Sequence, residues 1–171
     1  MATLTPRAVN HIATQTFDME ATHRFWTEVM GCRYAAGLRF PARTVSTGEA
    51  VPPFIHTFYE LADGSCVAFF ELAVSHERRD DGLPDWTRHY ALSVSSRAEL
   101  AEWKEHFEAH GVPVDGEIDH DGLFYSIYVK DPNGLRIELT YLTRTLGPDD
   151  HKEGLAELRS WVSDKAAGTL S

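Results

Sequence analysis

A duplication constrains this chain more than any local signal. Residues 8–17, AVNHIATQTF, read as a strand rich in β-branched residues, and DMEATHRFWTEVMG follows as a helix. Asp18 is placed to cap that helix, Phe25, Trp26 and Val29 form its apolar face, and Gly31 stops it. CRYAAGLRF is a second strand, a polar loop runs from about Pro41 to Pro53, and FIHTFYEL and CVAFFELAV form a hairpin across ADGS. After HERRDD, which reads as a solvated loop, the order returns. RHYALSVS is a strand and SRAELAEWKEHFEAHG a helix, with Ser96 as cap, Glu99 closing a capping box, and Leu100, Trp103 and Phe107 as the buried stripe. VPVDGEI, LFYSIYVK and LRIELTYL supply three more strands, the last two joined by DPNG. Laying His11 on His89 gives a βαβββ unit repeated at a spacing of about 78 residues.

Each such sheet has one apolar face that it cannot bury alone, so the two modules must pair. The expectation is an α+β protein with one domain over 1–145, built from modules at 7–75 and 87–143. A tail at 146–171 carries a short amphipathic helix with Leu155, Leu158, Trp161 and Val162 on one side.

Charge excludes some classes of partner. Acidic residues outnumber basic ones by 26 to 16, for a net charge of −10, which opposes binding to nucleic acid or an anionic membrane. Cys32 and Cys66 are too few for a disulfide framework and read as buried thiols. The N-terminus has no long apolar run and no 18-residue apolar segment occurs, so a cytoplasmic location is expected.

The odd residues fall at matching places. His11 lies mid-strand in VNHIA and His89 in RHYAL, while Glu71 lies in AFFELA and Glu138 in LRIELT. A charge in an apolar strand is costly unless something compensates it. A shared divalent ion accounts for all four, because imidazole and carboxylate suit iron, manganese, nickel and zinc. His23, His106 and His110 fall on helices and read as solvent-facing.

The paired βαβββ layout resembles the vicinal oxygen chelate superfamily, which includes glyoxalase I, type I extradiol ring-cleavage dioxygenases, fosfomycin-resistance enzymes and bleomycin-binding proteins. The resemblance covers about residues 7–143 and implies a curved, open-barrel pairing of the sheets around a metal held by His11, His89 and Glu138. The stretch Ile118-x-His120-x6-Ile127-Tyr128-x2-Asp131-Pro132-x-Gly134-x3-Glu138 is similar to the extradiol dioxygenase signature. That similarity implies Fe(II), with Mn, Ni or Zn as substitutes, and a small aromatic diol and dioxygen as co-substrates. It further implies that Tyr128 hydrogen-bonds a substrate oxygen and that His120 lines the pocket as an acid–base group.

Two departures keep other readings open. The family's acid–base histidine would fall near Ser65 or Cys66, neither of which is histidine; His56 on the adjacent strand is the substitute. Glu71, as a fourth ligand, would instead suit a glyoxalase I-like lyase or isomerase with Zn or Ni. A bleomycin-resistance-type binding protein, needing no metal, is the third reading. Phe40, Phe54, Phe58 and Tyr125 are the expected aromatic lining. Members of this superfamily pair modules within a chain or across a dimer, and a homodimer is expected here.

Overall fold

In the computed structural model, residues 4–74 and 82–170 are described; HERRDD (76–81) lies outside the described residues. The first module runs β1 (His11–Gln15), α1 (Met19–Arg24), β2 (Arg33–Phe40), β3 (Arg43–Thr44), β4 (Ala50–Val51), β5 (Phe54–Glu60) and β6 (Cys66–Leu72). Asp18, in extended conformation, accepts from the Ala21 amide at 2.9 Å and so opens α1. The helix widens into a π turn over Phe25–Val29, which the sequence did not suggest, and ends at Gly31. At φ +67 that glycine adopts a conformation other residues reach only with strain. The loop between Pro41 and Pro53 holds the short β3–β4 pairing.

The second module repeats the order as β7 (His89–Ser93), α2 (Arg97–Ala109), β8 (Asp115–His120), β9 (Phe124–Lys130) and β10 (Arg136–Leu142). Ser96 caps α2 by accepting from the Glu99 amide. Glu99 in turn accepts from the Ser95 amide, one residue earlier than a standard capping box, and this bond holds its carboxyl below the usual range. The fold is therefore mixed α+β with two open sheets, ordered β1-β6-β5-β2 and β7-β10-β9-β8. In each, the first strand lies parallel to the last and the others are antiparallel.

Strand alternation divides each sheet into a helix face and an open face. In the first, Tyr59, Val67 and Phe69 are buried with Trp26 and Phe25. In the second, Ile127, Val129, Ile137 and Leu139 are buried with Leu100 and Phe107 of α2. Both groups belong to one continuous core, and each fully buried large side chain contributes about 2–3 kcal/mol.

Polar contacts also bind the modules together. Asn133, in the β9–β10 turn, accepts from Thr16 Oγ1 at 2.7 Å and from the Phe17 amide at 3.1 Å. Its own amide donates to Thr22 Oγ1 at 3.0 Å. His106, expected to face solvent, instead lies half-buried with Nε2 2.8 Å from the Val29 carbonyl.

The tail forms α3 (Pro148–Ala167), longer than expected, and none of its residues is buried. Leu155, Leu158, Trp161 and Val162 remain exposed, so their stripe is not packed on this chain. No described helix is long and apolar enough to cross a membrane.

Candidate functional site

The open face of the second sheet gathers most of the chemistry-bearing residues. Parallel pairing sets Arg136 beside His89 and Ala91 beside Glu138, so His89 and Glu138 share that face, two residues apart in register. His89 Nε2 lies 2.8 Å from Glu138 Oε2, and the Glu138 side chain is only 6 % exposed. The Ser126 hydroxyl donates to the other oxygen of Glu138. Tyr128, directly opposite Glu138 on β9, packs edge-on against His89 at 6.1 Å. Its hydroxyl is 3.1 Å from His120 Nε2. Burial first, and then the Glu138 charge, push the Tyr128 phenol above its ordinary value.

The first sheet presents a different surface. His11, Ala68, Phe70, His56 and Phe58 share its open face through the β1–β6–β5 register. His56 stacks on Phe70 at 3.6 Å and lies 4.2 Å from Phe58, and His11 meets Phe58 edge-on at 5.3 Å. His56 Nδ1 is 3.1 Å from the Phe69 carbonyl. Since a carbonyl only accepts, the proton sits on Nδ1 and Nε2 keeps its lone pair. Burial pulls the His56 imidazole below its ordinary value. Phe40 and Phe54 extend the aromatic wall, with ring centroids 4.9 Å apart.

The side chains bear on whether a divalent ion would fit. His11 Nδ1 lies 2.7 Å from Asn10 Oδ1, and His89 Nδ1 lies 3.2 Å from the Trp86 carbonyl. Metal-binding histidines have this outer contact, which fixes the ring and leaves Nε2 for the ion. A buried carboxylate beside His89 is the third donor of the expected set. His11, His89 and Glu138 fit the group by type and by their supporting contacts, but one chain does not bring all three together. Among the described residues, no three His, Cys, Asp or Glu side chains gather closely enough to hold an ion.

Glu71 lies elsewhere. His11 pairs with Cys66 as His89 pairs with Arg136, so the residue equivalent to Glu138 is Ala68. Glu71 alternates with Val67 and Phe69 on the helix side, and its Oε1 accepts from the Met19 amide at 3.2 Å. Its role is to satisfy a free amide at the start of α1. We expect Glu71→Ala to lower unfolding free energy by about 1 kcal/mol in denaturant titration and to leave metal affinity unchanged. Loss of metal binding in that variant would restore Glu71 as a ligand.

Tyr125 is also displaced from the expected lining. It alternates with Ile127 and Val129 on the helix side, where the Arg97 guanidinium lies 4.0 Å above its ring. Ser126, Arg136 and Phe70, which the sequence reading did not select, stand on the open faces instead. The signal for each was strand parity, since each lies an even number of residues from Tyr128, Glu138 or Ala68.

Comparison with known proteins follows the same lines. The family model described as Glyoxalase/Bleomycin resistance protein/Dioxygenase superfamily matches residues 8–139. No curated protein matches the sequence. Among solved structures, a glyoxylase/bleomycin resistance protein/dioxygenase domain from Frankia sp. EAN1pec is similar at 14 % identity and a TM-score of 0.63, covering 81 % of this chain and 99 % of its own. A lactoylglutathione lyase from Agrobacterium tumefaciens is similar at 23 % identity and 0.57, covering 80 % and 94 %. A genomically encoded fosfomycin resistance protein, FosX, from Listeria monocytogenes is similar at 21 % and 0.57, covering 81 % and 96 %. At these identities the likeness speaks for the fold alone.

Proposed function

The chain belongs to the Glyoxalase/Bleomycin resistance protein/Dioxygenase superfamily, and from that premise we propose that it is an Fe(II)-dependent extradiol-type dioxygenase that opens a catechol-like ring. The observation that carries this reading is the grouping on one sheet face of the His89–Glu138 pair with the Tyr128–His120 pair. A four-donor lyase site would need an acid beside His11, and Ala68 stands there. The adjacent Tyr128–His120 pair has no task in such a lyase.

In this reading His11, His89 and Glu138 hold the ion, and the remaining residues handle the substrate. Fe(II), when bound, supplies open positions for two adjacent substrate oxygens and for dioxygen, and a path for electrons between them. Tyr128 donates its hydroxyl proton in a hydrogen bond to a substrate oxygen. His120, at its other side, exchanges a proton with that hydroxyl. The wall of Phe58, Phe70 and Phe54 presents flat apolar surface to an aromatic ring and excludes water. His56, whose Nε2 keeps its lone pair, is the proton acceptor in this reading.

Because His11 stands on one sheet and His89 with Glu138 on the other, the complete site takes a second copy of the chain. The first module of one copy faces the second module of its partner, and two equivalent sites result. Both open faces carry solvent-exposed residues in a single chain: His11 and Leu38 on the first, Ala91 and Leu142 on the second.

The test is reconstitution with Fe(II) without air, then addition of catechol and oxygen. A yellow ring-opened product is the expected outcome. Turnover of a glutathione hemithioacetal with Ni(II) or Zn(II), and none of the catechol, would reject the assignment in favour of the lyase.

A further inference from the structure

The two carboxylate oxygens of Glu138 have different surroundings. Ser126, on β9, is fully buried, and its hydroxyl donates to Glu138 Oε1. Glu138 Oε2 is the oxygen that lies 2.8 Å from His89 Nε2. We infer that Ser126 is a positioning residue: by engaging Oε1 it limits Glu138 to one oxygen donor toward a divalent ion, and so keeps a position open for an incoming ligand. The inference rests on the reading above for Glu138 and His89 as donors, but not for the reaction that the site performs.

Strand register sets up this contact. β9 and β10 are antiparallel, with Tyr128 opposite Glu138 and Ser126 opposite Thr140. Residues two apart on a strand share a face, so Ser126 stands diagonally from Glu138 on the open face. Its hydroxyl has one proton and two acceptors within reach, the Glu138 carboxylate and Thr140 Oγ1 at 3.0 Å. The charged acceptor makes the stronger bond and takes the proton. Thr140 donates its own proton to the Tyr125 carbonyl at 3.4 Å.

The consequence follows from how carboxylates bind cations. The terminal torsion of a glutamate is soft, so nothing intrinsic to the side chain fixes the plane of its carboxylate. An unrestrained carboxylate can present both oxygens to one ion, as it often does to calcium. The bond from Ser126 fixes that plane and draws charge from Oε1. Oε2 is left as the stronger donor, on the side of His89. Two histidines and one carboxylate oxygen leave about three positions of an octahedral ion open, and both oxygens would leave about two. A guest that chelates through two adjacent oxygens, together with dioxygen, needs all of the larger number.

The test counts open positions directly and needs no turnover. Bound Mn(II) speeds the relaxation of water protons in proportion to the number of exchanging waters that it holds. With the protein saturated in Mn(II), relaxivity per bound ion should fall by about one third in Ser126→Ala, as the freed Oε1 takes the place of a water. Thr140→Val, which removes the other hydroxyl beside Ser126, should leave the relaxivity unchanged. Should Ser126→Ala not fold, Ser126→Cys, with only a weak donor in a similar volume, takes its place in the comparison. Equal relaxivity in the unaltered protein and the Ser126 variant, or the same fall in Thr140→Val, overturns the inference. An unaltered protein that binds no Mn(II) rejects the donor set and the inference with it. The expected fall in a protein that opens no catechol upholds the role of Ser126 and rejects only the dioxygenase reading.

Discussion

Glu138→Gln is expected to remove divalent-metal binding while leaving the metal-free protein as stable as before, or more so. Glu138 sits mid-strand on β10 at 4 % exposure, with His89 and Ser126 as its polar contacts. Taking a carboxylate out of water costs several kcal/mol, and a single histidine partner recovers only part of it. Glutamine keeps the length of the side chain and an oxygen for the Ser126 hydroxyl, and it has no charge to desolvate. The metal-free variant should therefore unfold at the same temperature or a few degrees higher. Metal affinity should fall by at least about 100-fold, since loss of a direct donor exceeds the effect of losing an outer contact. The readout is thermal unfolding with and without Fe(II) or Mn(II). The unaltered protein should gain about 2.7 kcal/mol at a free ion concentration of 100 Kd, and the variant no more than about 0.4 kcal/mol. A metal-free variant that unfolds many degrees lower, or one that keeps its metal-induced gain, would show that Glu138 is a structural acid.

The second large effect is recovery of activity on mixing two inactive variants. His11→Ala removes a donor from the first module and Glu138→Ala removes one from the second. Each homodimer should be inactive, because both of its sites carry a lesion. In a mixed dimer, one site receives both lesions and the other receives none. Random exchange makes half of the dimers mixed, so activity should return to about one quarter of that of the unaltered protein. Unfolding the two variants together and refolding them measures it directly. If the modules paired within a chain, every site would keep one lesion and nothing would return. This experiment separates the two arrangements without requiring knowledge of the substrate, provided any turnover or complete metal site is detected.

Local signals in the sequence fix the structure where a few neighbouring residues decide the outcome. The Asp18 and Ser96 caps depend on backbone amides three residues away, and both form. The DPNG turn closes with Gly134 at φ +75 and its amide bonded to the Asp131 carbonyl. The π turn at Phe25–Val29 has no comparable marker, because it depends on how Trp26 must sit against Tyr59 and Phe69. Glu71 shows the limit most clearly. A glutamate late in the last strand of each module suggested equivalence with Glu138, but the register of β6 against β1 places Ala68 there, three residues before Glu71. A carboxylate displaced by an odd number of residues points to the other face of its sheet.

What the sequence by itself determined is the duplicated βαβββ order, the caps of the first two helices and the turns. These follow from composition and spacing within short windows, where strand alternation and backbone preference act directly. Only the tertiary structure decided that Ala68 and not Glu71 matches Glu138, that Tyr125 faces α2, that Arg136 stands beside His89, and that His11 is parted from the other two donors. Those facts depend on which strand pairs with which residue of its neighbour and on how one sheet is turned relative to the other. Such distances are set by the packing of the whole core, and no short stretch of chain contains them.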